Sequence, residues 1–323
     1  MAKSLFTKGR AYDKTLEDCL TEFLDEKKAL NKSKATVVGY EEAVNKWFDY
    51  LKGSNRSLSV KDVDAGYVLA FSQHHLNEGM KATTLNHYLR SVRAFVYWCI
   101  DKQYIKPFKI KMAVEQEVIK TTYSDEDCMR LLVKPRNNDS FVVWRTWAII
   151  NWVLATGNRA DTICNIKIGD VNFTKRELYL NRTKNNKASI IPLSTALANV
   201  LQEYIKTWLY EFGSNDWLFP SSTTADQLTV NALKHSVRRY NLDHDVQLTS
   251  IHAFRHTFAR NWIRNTGDVF RLQKILGHST LEMTRRYVNM FSEDLKEGYE
   301  SFSPLDRLKR SSSRTQQIKK KEP

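Results

Sequence analysis

Apolar residues recur at helical spacing through the first hundred positions of the chain. One series occupies residues 16–24, a second runs through 37–51, a third covers about 65–75, and a fourth follows Gly79. In each series the apolar side chains fall on one face of a helix, with polar residues between them. The pattern therefore predicts four amphipathic helices that pack into one helical domain over residues 15–108.

Polar segments border this predicted domain. Residues 1–14 are expected to form a flexible basic arm, and the mostly polar residues 109–120 predict a linker. Residues 301–323 contain few apolar and many basic side chains, so we expect a disordered basic tail there. A second domain is left between the linker and the tail, over residues 121–300.

The second domain begins with helical patterns. The series over residues 141–155 is apolar on nearly all sides, which predicts a buried helix that ends at Thr156-Gly157. It is shorter than the roughly 20 apolar residues that a membrane span requires. A further helix is predicted over about 159–166.

A short β region interrupts the helices. Residues 178–180 and 189–193 flank Asn185-Asn186, a turn-forming pair, and so predict two paired strands. Residues 217–220 predict one more short strand, and helical spacing returns from Leu228 onward. The predicted fold class is therefore mainly α with a small β-sheet.

The net charge of the chain indicates the kind of partner that it binds. Among 323 residues there are 50 Lys and Arg against 36 Asp and Glu, a net charge of +14, and residues 307–323 supply +6 of it. A basic balance of this size favours a polyanion, most often nucleic acid, as the partner.

The cysteines and the N-terminal residues predict the cellular compartment of the protein. The four cysteines are far apart and form no CxxC pair, which argues against a zinc ribbon or a disulfide framework. The first ten residues lack the apolar core of a signal peptide. We expect a cytoplasmic protein without a membrane partner.

The densest group of candidate catalytic residues lies at 248–263, LTSIHAFRHTFARNWI. His252 and Arg255 are three residues apart and share one helix face, where an imidazole beside a guanidinium suits proton transfer at an anionic oxygen. A single HxxR is also common on ordinary surfaces. His256 permits a zinc interpretation, but a metalloprotease helix needs Glu at the position that Ala253 occupies.

Four further candidates lie outside this group. His278 precedes Tyr287 by nine residues in LGHSTLEMTRRYVNM, Arg159 follows a glycine turn in ATGNR, and Lys184 lies in RTKNNK together with Lys187. Taken singly, each has an ordinary explanation as a surface cation, a helix cap or a half-buried aromatic residue.

Taken in order, the Arg, the Lys, the HxxRH box, the LGH and the Tyr resemble the tyrosine recombinase family, also called phage integrases. The resemblance implies a helical core-binding domain of the SAM-like type at 15–108 and the recombinase catalytic domain at 121–300. In one respect the chain departs from the family pattern. The acid often found three residues after Arg159 is replaced by Thr162, with Asp161 just before it.

The resemblance also implies the roles of the candidate residues. Tyr287 would attack the scissile phosphodiester and form a 3′-phosphotyrosyl link, while Arg159, Arg255 and His278 would donate hydrogen bonds to the nonbridging oxygens. His252 would assist proton transfer at the nucleophile.

Lys184 would be the general acid at the leaving 5′ oxygen, with Lys187 as the alternative on the same loop. Two guanidiniums in place of a divalent metal imply activity without metal. No ATP is expected either, since the chain has no GxxxxGK[ST] loop.

The function expected from this resemblance is site-specific recombination of double-stranded DNA by a homo-tetramer on paired sites. Integration or excision of a mobile element or prophage is the first interpretation, with directionality or DNA-bending proteins as possible accessories. The alternatives are a recombinase that resolves chromosome dimers, a catalytically idle DNA-binding protein on the same fold, and a monomeric type IB topoisomerase.

Overall fold

The structure is a computed structural model that describes residues 14–115, 121–180, 188–265, 267–290 and 305. The chain divides into two compact units between residues 118 and 119. Each unit has its own hydrophobic core and is described by itself below.

The N-terminal unit contains the four predicted helices. They are α1 (Leu16–Ala29), α2 (Lys34–Gly53), α3 (Ala65–Asn77) and α4 (Ala82–Asp101). Side-chain caps begin three of them: the oxygens of Thr15, Ser33 and Asp64 accept backbone N–H groups of the first turn. Such caps satisfy N–H groups that have no partner within the helix, which sets where each helix starts.

Aromatic rings form the centre of this unit. Phe23 of α1 is fully buried, and the rings of Tyr40, Phe95 and Trp98 meet it edge-on at centroid distances of 5.2, 5.7 and 5.7 Å. These edge contacts bring α1, α2 and α4 around one point, as the shared apolar faces in the sequence require.

The described part of the predicted linker belongs to this core. Ile110 is buried within it, and the side-chain amide of Asn86 donates to the Ala113 carbonyl at 2.8 Å and accepts the Ala113 N–H at 2.9 Å. Residues 109–115 therefore lie along the helical unit, unlike a free connection. Lysines separate the apolar residues of this stretch, which made it look polar.

The second unit is mainly helical and carries one small sheet. Its elements are α5 (Asp125–Leu131), α6 (Phe141–Thr156), α7 (Ala160–Cys164), β1 (Val171–Asn172), β2 (Glu177–Leu180), β3 (Ser189–Pro192), α8 (Thr195–Trp208), α9 (Val230–Asp243), α10 (Ile251–Arg264), α11 (Val269–Leu276) and α12 (Leu281–Met290). The predicted fold class, mainly α with a small β-sheet, is confirmed.

Helix α6 is the centre of the second core. It is buried on nearly all sides and packs against α8, α9 and α10, as its continuous apolar sequence predicts. Within the described parts of the chain, no helix has both the length and the hydrophobicity needed to cross a membrane.

The β region differs in part from the prediction. The three strands pair antiparallel in the order β1-β2-β3, with Leu178 opposite Ile191. The sequence pattern missed β1 and also α8. The strand predicted at 217–220 is wrong, because Trp217 and Pro220 each make only an isolated bridge while Leu218 and Phe219 turn into the core.

We expect Ile110→Ala to destabilise the N-terminal unit by about 2–4 kcal/mol, because it leaves a cavity in the core. The matched control, Val114→Ala, removes a side chain that is 92% exposed and should change stability by less than about 0.5 kcal/mol. Urea-dependent hydrogen exchange of α4 in the full chain measures the difference. Equal effects of the two substitutions would contradict the placement of residues 109–115 in this core.

Candidate active site

A buried arginine connects three segments of the second unit. Arg255 lies on α10 and is 5% exposed. Its Nη1 donates to the carbonyl of Gly157 at 2.7 Å, and its Nη2 donates to the carbonyl of Leu276 at 2.9 Å. The planar, forked guanidinium therefore joins α10 to the C-terminal ends of α6 and α11.

The end of α6 depends on a glycine. Gly157 caps the helix in the left-handed region, with φ 63°, where a side chain is strained. A Cβ at this position would lie 2.5 Å from Cδ1 of Phe258 and 2.7 Å from Cδ2 of Leu276. Only glycine therefore allows the end of α6 to approach α10 and α11 so closely.

This turn also positions the first candidate arginine. Arg159 is the N-cap residue of α7, two residues after Gly157, and its Nη1 lies 3.5 Å from the Leu276 carbonyl oxygen. Arg255 donates to the same oxygen, so the two guanidiniums are neighbours. Sequence spacing had proposed both residues, and the fold brings them together across almost a hundred positions.

His278 joins this pair through a second left-handed glycine. Gly277 ends α11 with φ 61°, and the chain then turns so that the His278 N–H donates to the Gln273 carbonyl at 3.0 Å. The Nε2 of His278 lies 2.8 Å from Nη2 of Arg255. Arg159, Arg255 and His278 thus form one cluster of groups able to donate hydrogen bonds to an oxyanion.

The start of α10 places His252 one turn before Arg255. His252 is exposed, whereas Arg255 points into the core. Sequence reasoning missed the residue that fixes this helix start, Tyr123, whose hydroxyl donates to the Ser250 carbonyl at 3.1 Å. Its ring stacks on Phe254 at 3.9 Å.

Tyr123 remains a neutral phenol. Burial raises the pKa of its hydroxyl well above the usual value, and the amide of Asn241 donates to that hydroxyl at 2.9 Å. The sequence gives little indication of this role, because Tyr123 is notable there only as the residue before Ser124, the N-cap of α5.

The structure places some of the remaining candidates and leaves others outside the described residues. Tyr287 lies in α12, three residues after the fully buried Thr284. Lys184 and Lys187 lie outside the described residues, in the connection between β2 and β3. Thr162, at the position where the family often has an acid, is buried in α7, while Asp161 is exposed.

Residues with metal-binding side chains meet elsewhere in the described part of the chain. His74, His75 and Glu78 lie close together near the end of α3 in the N-terminal unit. Glu78 accepts a hydrogen bond from Nδ1 of His75 at 3.1 Å, and its other carboxylate oxygen lies 3.3 Å from Nε2 of His74. Burial lowers the pKa of His75, so its interaction with Glu78 is mainly that of a neutral ring.

Sequence profiles of known families match both units. The profile of the phage integrase family matches residues 124–293, and that of the phage integrase N-terminal SAM-like domain matches residues 10–103. The chain belongs to the phage integrase family. Members of this family, the tyrosine recombinases, are enzymes that cleave and rejoin DNA strands.

Curated relatives match along most of their length. The tyrosine recombinase XerD of Rhizobium meliloti is 25% identical over 282 residues, which cover 84% of this chain and 89% of the relative. XerA of Pyrococcus horikoshii is 26% identical over 296 residues, covering 90% and 95%. This family membership confirms the resemblance proposed from the ordered Arg, HxxRH, LGH and Tyr motifs.

Solved structures share the fold at lower identity. The Tn1549 transposon integrase in complex with transposon right end DNA gives a TM-score of 0.67 at 19% identity, with 85% of this chain and 94% of that chain covered. A lambda integrase tetramer bound to a Holliday junction gives 0.66 at 16% identity, covering 88% and 80%.

We expect Gly157→Ala to destabilise the second unit by about 2 kcal/mol or more, because a left-handed conformation strains alanine and its Cβ meets Phe258 and Leu276. Gly39→Ala, within α2, is the control: an added Cβ there meets nothing within 4 Å, and alanine favours the helix. Urea unfolding of both variants measures this difference. A Gly157→Ala protein as stable as wild type would refute the close approach.

Proposed function

We propose that this protein is a site-specific recombinase of double-stranded DNA that works through a 3′-phosphotyrosyl intermediate on Tyr287. The observation that carries the proposal is the clustering of Arg159, Arg255 and His278: the two arginines share the Leu276 carbonyl as acceptor, and His278 is bonded to Arg255. This cluster collects strong hydrogen-bond donors where a phosphodiester gains negative charge during transfer.

The two arginines suit the equatorial oxygens of a pentavalent phosphorus. Each guanidinium presents a planar fork of N–H donors, a geometry that matches the oxygens of a phosphate. The acceptors named for Arg255, two backbone carbonyls and an imidazole nitrogen, carry no formal negative charge. A phosphate oxygen is a charged acceptor, and a hydrogen bond from a guanidinium to a charged acceptor is stronger than one to a neutral acceptor.

In the proposed transfer, one bond to phosphorus forms as another breaks, and one proton is accepted as another is donated. A bond forms between the Tyr287 phenolic oxygen and phosphorus while the bond from phosphorus to the 5′ oxygen breaks. Because phenols are ordinarily protonated at neutral pH, with a pKa of about 10, the attack requires an acceptor for the phenolic proton. We assign that assistance to His252. We assign the proton given to the leaving 5′ oxygen to Lys184, with Lys187 as the alternative.

We propose that the reaction needs neither metal nor ATP. The guanidiniums provide the positive charge that a divalent ion supplies in many phosphoryl transfers. The phosphotyrosyl bond keeps the energy of the broken phosphodiester, so the 5′ hydroxyl can attack it to rejoin a strand without another energy source.

Exposed basic residues on each unit are proposed to contact the DNA backbone. On the N-terminal unit these are Lys81 at the start of α4 and Arg90 within it, with the half-buried Arg93 three residues further on. On the second unit they are Arg238 and Arg239 of α9. Arg90 bonds to Glu115 at 3.1 Å and Arg239 lies 3.8 Å from Asp243. Such exposed pairs are weak and can exchange a carboxylate for a phosphate at little cost.

We propose that four copies act together on two paired sites, in the cytoplasm. The lambda integrase relative that shares this fold is a tetramer on a Holliday junction, which supports the proposal. Accessory directionality or bending proteins remain part of the expectation from the family.

The biological role proposed first is integration or excision of a mobile element or prophage. Resolution of chromosome dimers is the second candidate, favoured by the XerD and XerA relatives that match over 89% and 95% of their lengths. Disrupting the gene separates the two roles: the first predicts loss of an excised DNA circle, and the second predicts accumulation of chromosome dimers.

We expect wild-type protein to form a covalent adduct with DNA in excess EDTA. Binding sites are first selected from a randomised duplex library, and a nicked duplex of the selected sequence then serves as the trap on a denaturing gel. Tyr287→Phe should abolish the adduct because it removes the attacking oxygen. Tyr210→Phe, an exposed tyrosine, is the control and should retain it.

The results separate the alternatives. Adduct formation that persists in Tyr287→Phe would assign the nucleophile elsewhere, and dependence on added metal would overturn the metal-free proposal. Persistent absence of adduct on verified binding sites would favour an idle DNA-binding protein. Relaxation of supercoiled DNA that lacks paired sites would favour a topoisomerase.

We expect Lys184→Ala to slow cleavage by about 100-fold, the usual scale for loss of a general acid. A substrate with sulfur in place of the leaving 5′ oxygen should restore the rate to within about tenfold of wild type, because a thiol, with a pKa near 8.5, leaves without a proton. Lys187→Ala is the matched control on the same loop. If its loss is the one rescued by sulfur, Lys187 is the general acid.

A further inference from the structure

A buried threonine connects His278 to the helix that carries Tyr287. The Oγ1 of Thr284 lies 2.8 Å from Nδ1 of His278, and the Thr284 side chain is fully buried. Thr284 belongs to α12, whereas His278 lies in the turn that follows α11. The bond therefore crosses between the two segments that hold these candidate catalytic residues.

This bond is unlike those of other buried threonines in the same unit. Thr146, Thr156 and Thr257 each donate to the backbone carbonyl four residues earlier in their own helix. That local bond is the usual way in which a helix absorbs a buried hydroxyl. Thr284 instead uses its hydroxyl on a side chain six residues earlier.

Two hydrogen bonds of the His278 ring, one at each nitrogen, indicate which nitrogen carries the proton. A guanidinium can only donate, so Nε2 accepts the hydrogen bond from Nη2 of Arg255 at 2.8 Å. The network therefore assigns the proton of the neutral ring to Nδ1, which donates it to Thr284 Oγ1.

We propose that Thr284 is a positioning residue that accepts the Nδ1 proton of His278, holds the orientation of the ring and ties it to the register of α12. The proposal rests on the proposed function, in which His278 acts on the scissile phosphate. A hydroxyl both donates and accepts. It can therefore accept from Nδ1 when the ring is doubly protonated, leaving the Nε2 proton to be donated to a phosphate oxygen.

The same bond has a consequence for the nucleophile. Tyr287 follows Thr284 by three residues in α12, slightly less than one helical turn. A shift of α12 along its axis or about it moves Thr284 with Tyr287 and breaks the bond to the His278 ring. The imidazole is thereby held in its productive orientation only when the segment carrying the nucleophile is in register.

The test compares Thr284→Val, which keeps the shape of the side chain but removes the hydroxyl, with Thr284→Ser, which retains it. Thr146→Val is the matched control, because this buried threonine of α6 donates to the Val142 carbonyl at 2.7 Å. It lies roughly 15 Å along the helix from Thr156, the last residue of α6 before the candidate site. The Thr146→Val variant therefore measures the loss of stability that removal of a buried threonine hydroxyl causes away from the candidate site.

The first measurement needs no DNA. Long-range proton–nitrogen spectra of protein labelled in its eight histidines report the tautomer of each ring, and His278→Gln assigns the signal. Because Arg255 still donates to Nε2, we expect the Nδ1–H form in wild type and in all three variants. The Nδ1 proton, which loses its acceptor in Thr284→Val, should exchange with water at least about tenfold faster there than in wild type, Thr284→Ser or Thr146→Val. Equal exchange of this proton in Thr284→Val and wild type would overturn the proposal.

The second measurement is the single-turnover rate of adduct formation on the nicked duplex. We expect Thr284→Val to react about tenfold more slowly, a rate change equivalent to one hydrogen bond, with DNA affinity within about twofold of wild type. Thr284→Ser should recover most of the rate. An equal loss in Thr146→Val would reduce the effect to general destabilisation and overturn the proposal.

The two measurements distinguish failure of the proposed function from failure of the positioning role of Thr284. If wild type forms no adduct on verified sites, the proposed function fails, while the histidine spectra still decide whether Thr284 controls the ring. If wild type reacts and Thr284→Val reacts equally fast, the recombinase proposal stands and the positioning role is refuted.

Discussion

The second unit depends on one buried guanidinium. Arg255 binds the last carbonyls of two helices and the imidazole of His278, so it acts at once as a structural bridge and as a candidate catalytic donor. Burying a guanidinium is costly unless its N–H groups are satisfied. The backbone carbonyls of Gly157 and Leu276 meet that cost where the phosphate is proposed to bind, which couples the stability of the fold to its chemistry.

Two left-handed glycines make this bridge possible. Gly157 and Gly277 end α6 and α11, and each turns the chain directly ahead of a candidate catalytic residue, Arg159 and His278. Because a helix end exposes unpaired carbonyls, it offers acceptors to the arginines that gather there. The site is thus built from helix ends, while the bodies of α6 and α10 form the rigid core behind it.

Tyr123 and Thr284 extend the network outward from this point. Tyr123 holds the start of α10 through the Ser250 carbonyl, and Thr284 links the ring of His278 to α12. Neither residue is among the candidate catalytic groups. Tyr123 thus positions the start of the helix that carries His252 and Arg255, and Thr284 positions the ring of His278, each from a different segment.

The sequence by itself determined the elements that depend on local spacing and caps. The four N-terminal helices, the buried α6 and the paired strands β2 and β3 were all readable, as was the family, because its motifs keep fixed order and short distances. Only the tertiary structure decided that Ile110 joins the N-terminal core and that α8 completes the second. It also decided that Arg159 and Arg255 meet at the Leu276 carbonyl, with His278 bonded to Arg255. These are contacts between segments far apart in the chain, and periodicity records only which side of a residue is buried, without recording what covers it.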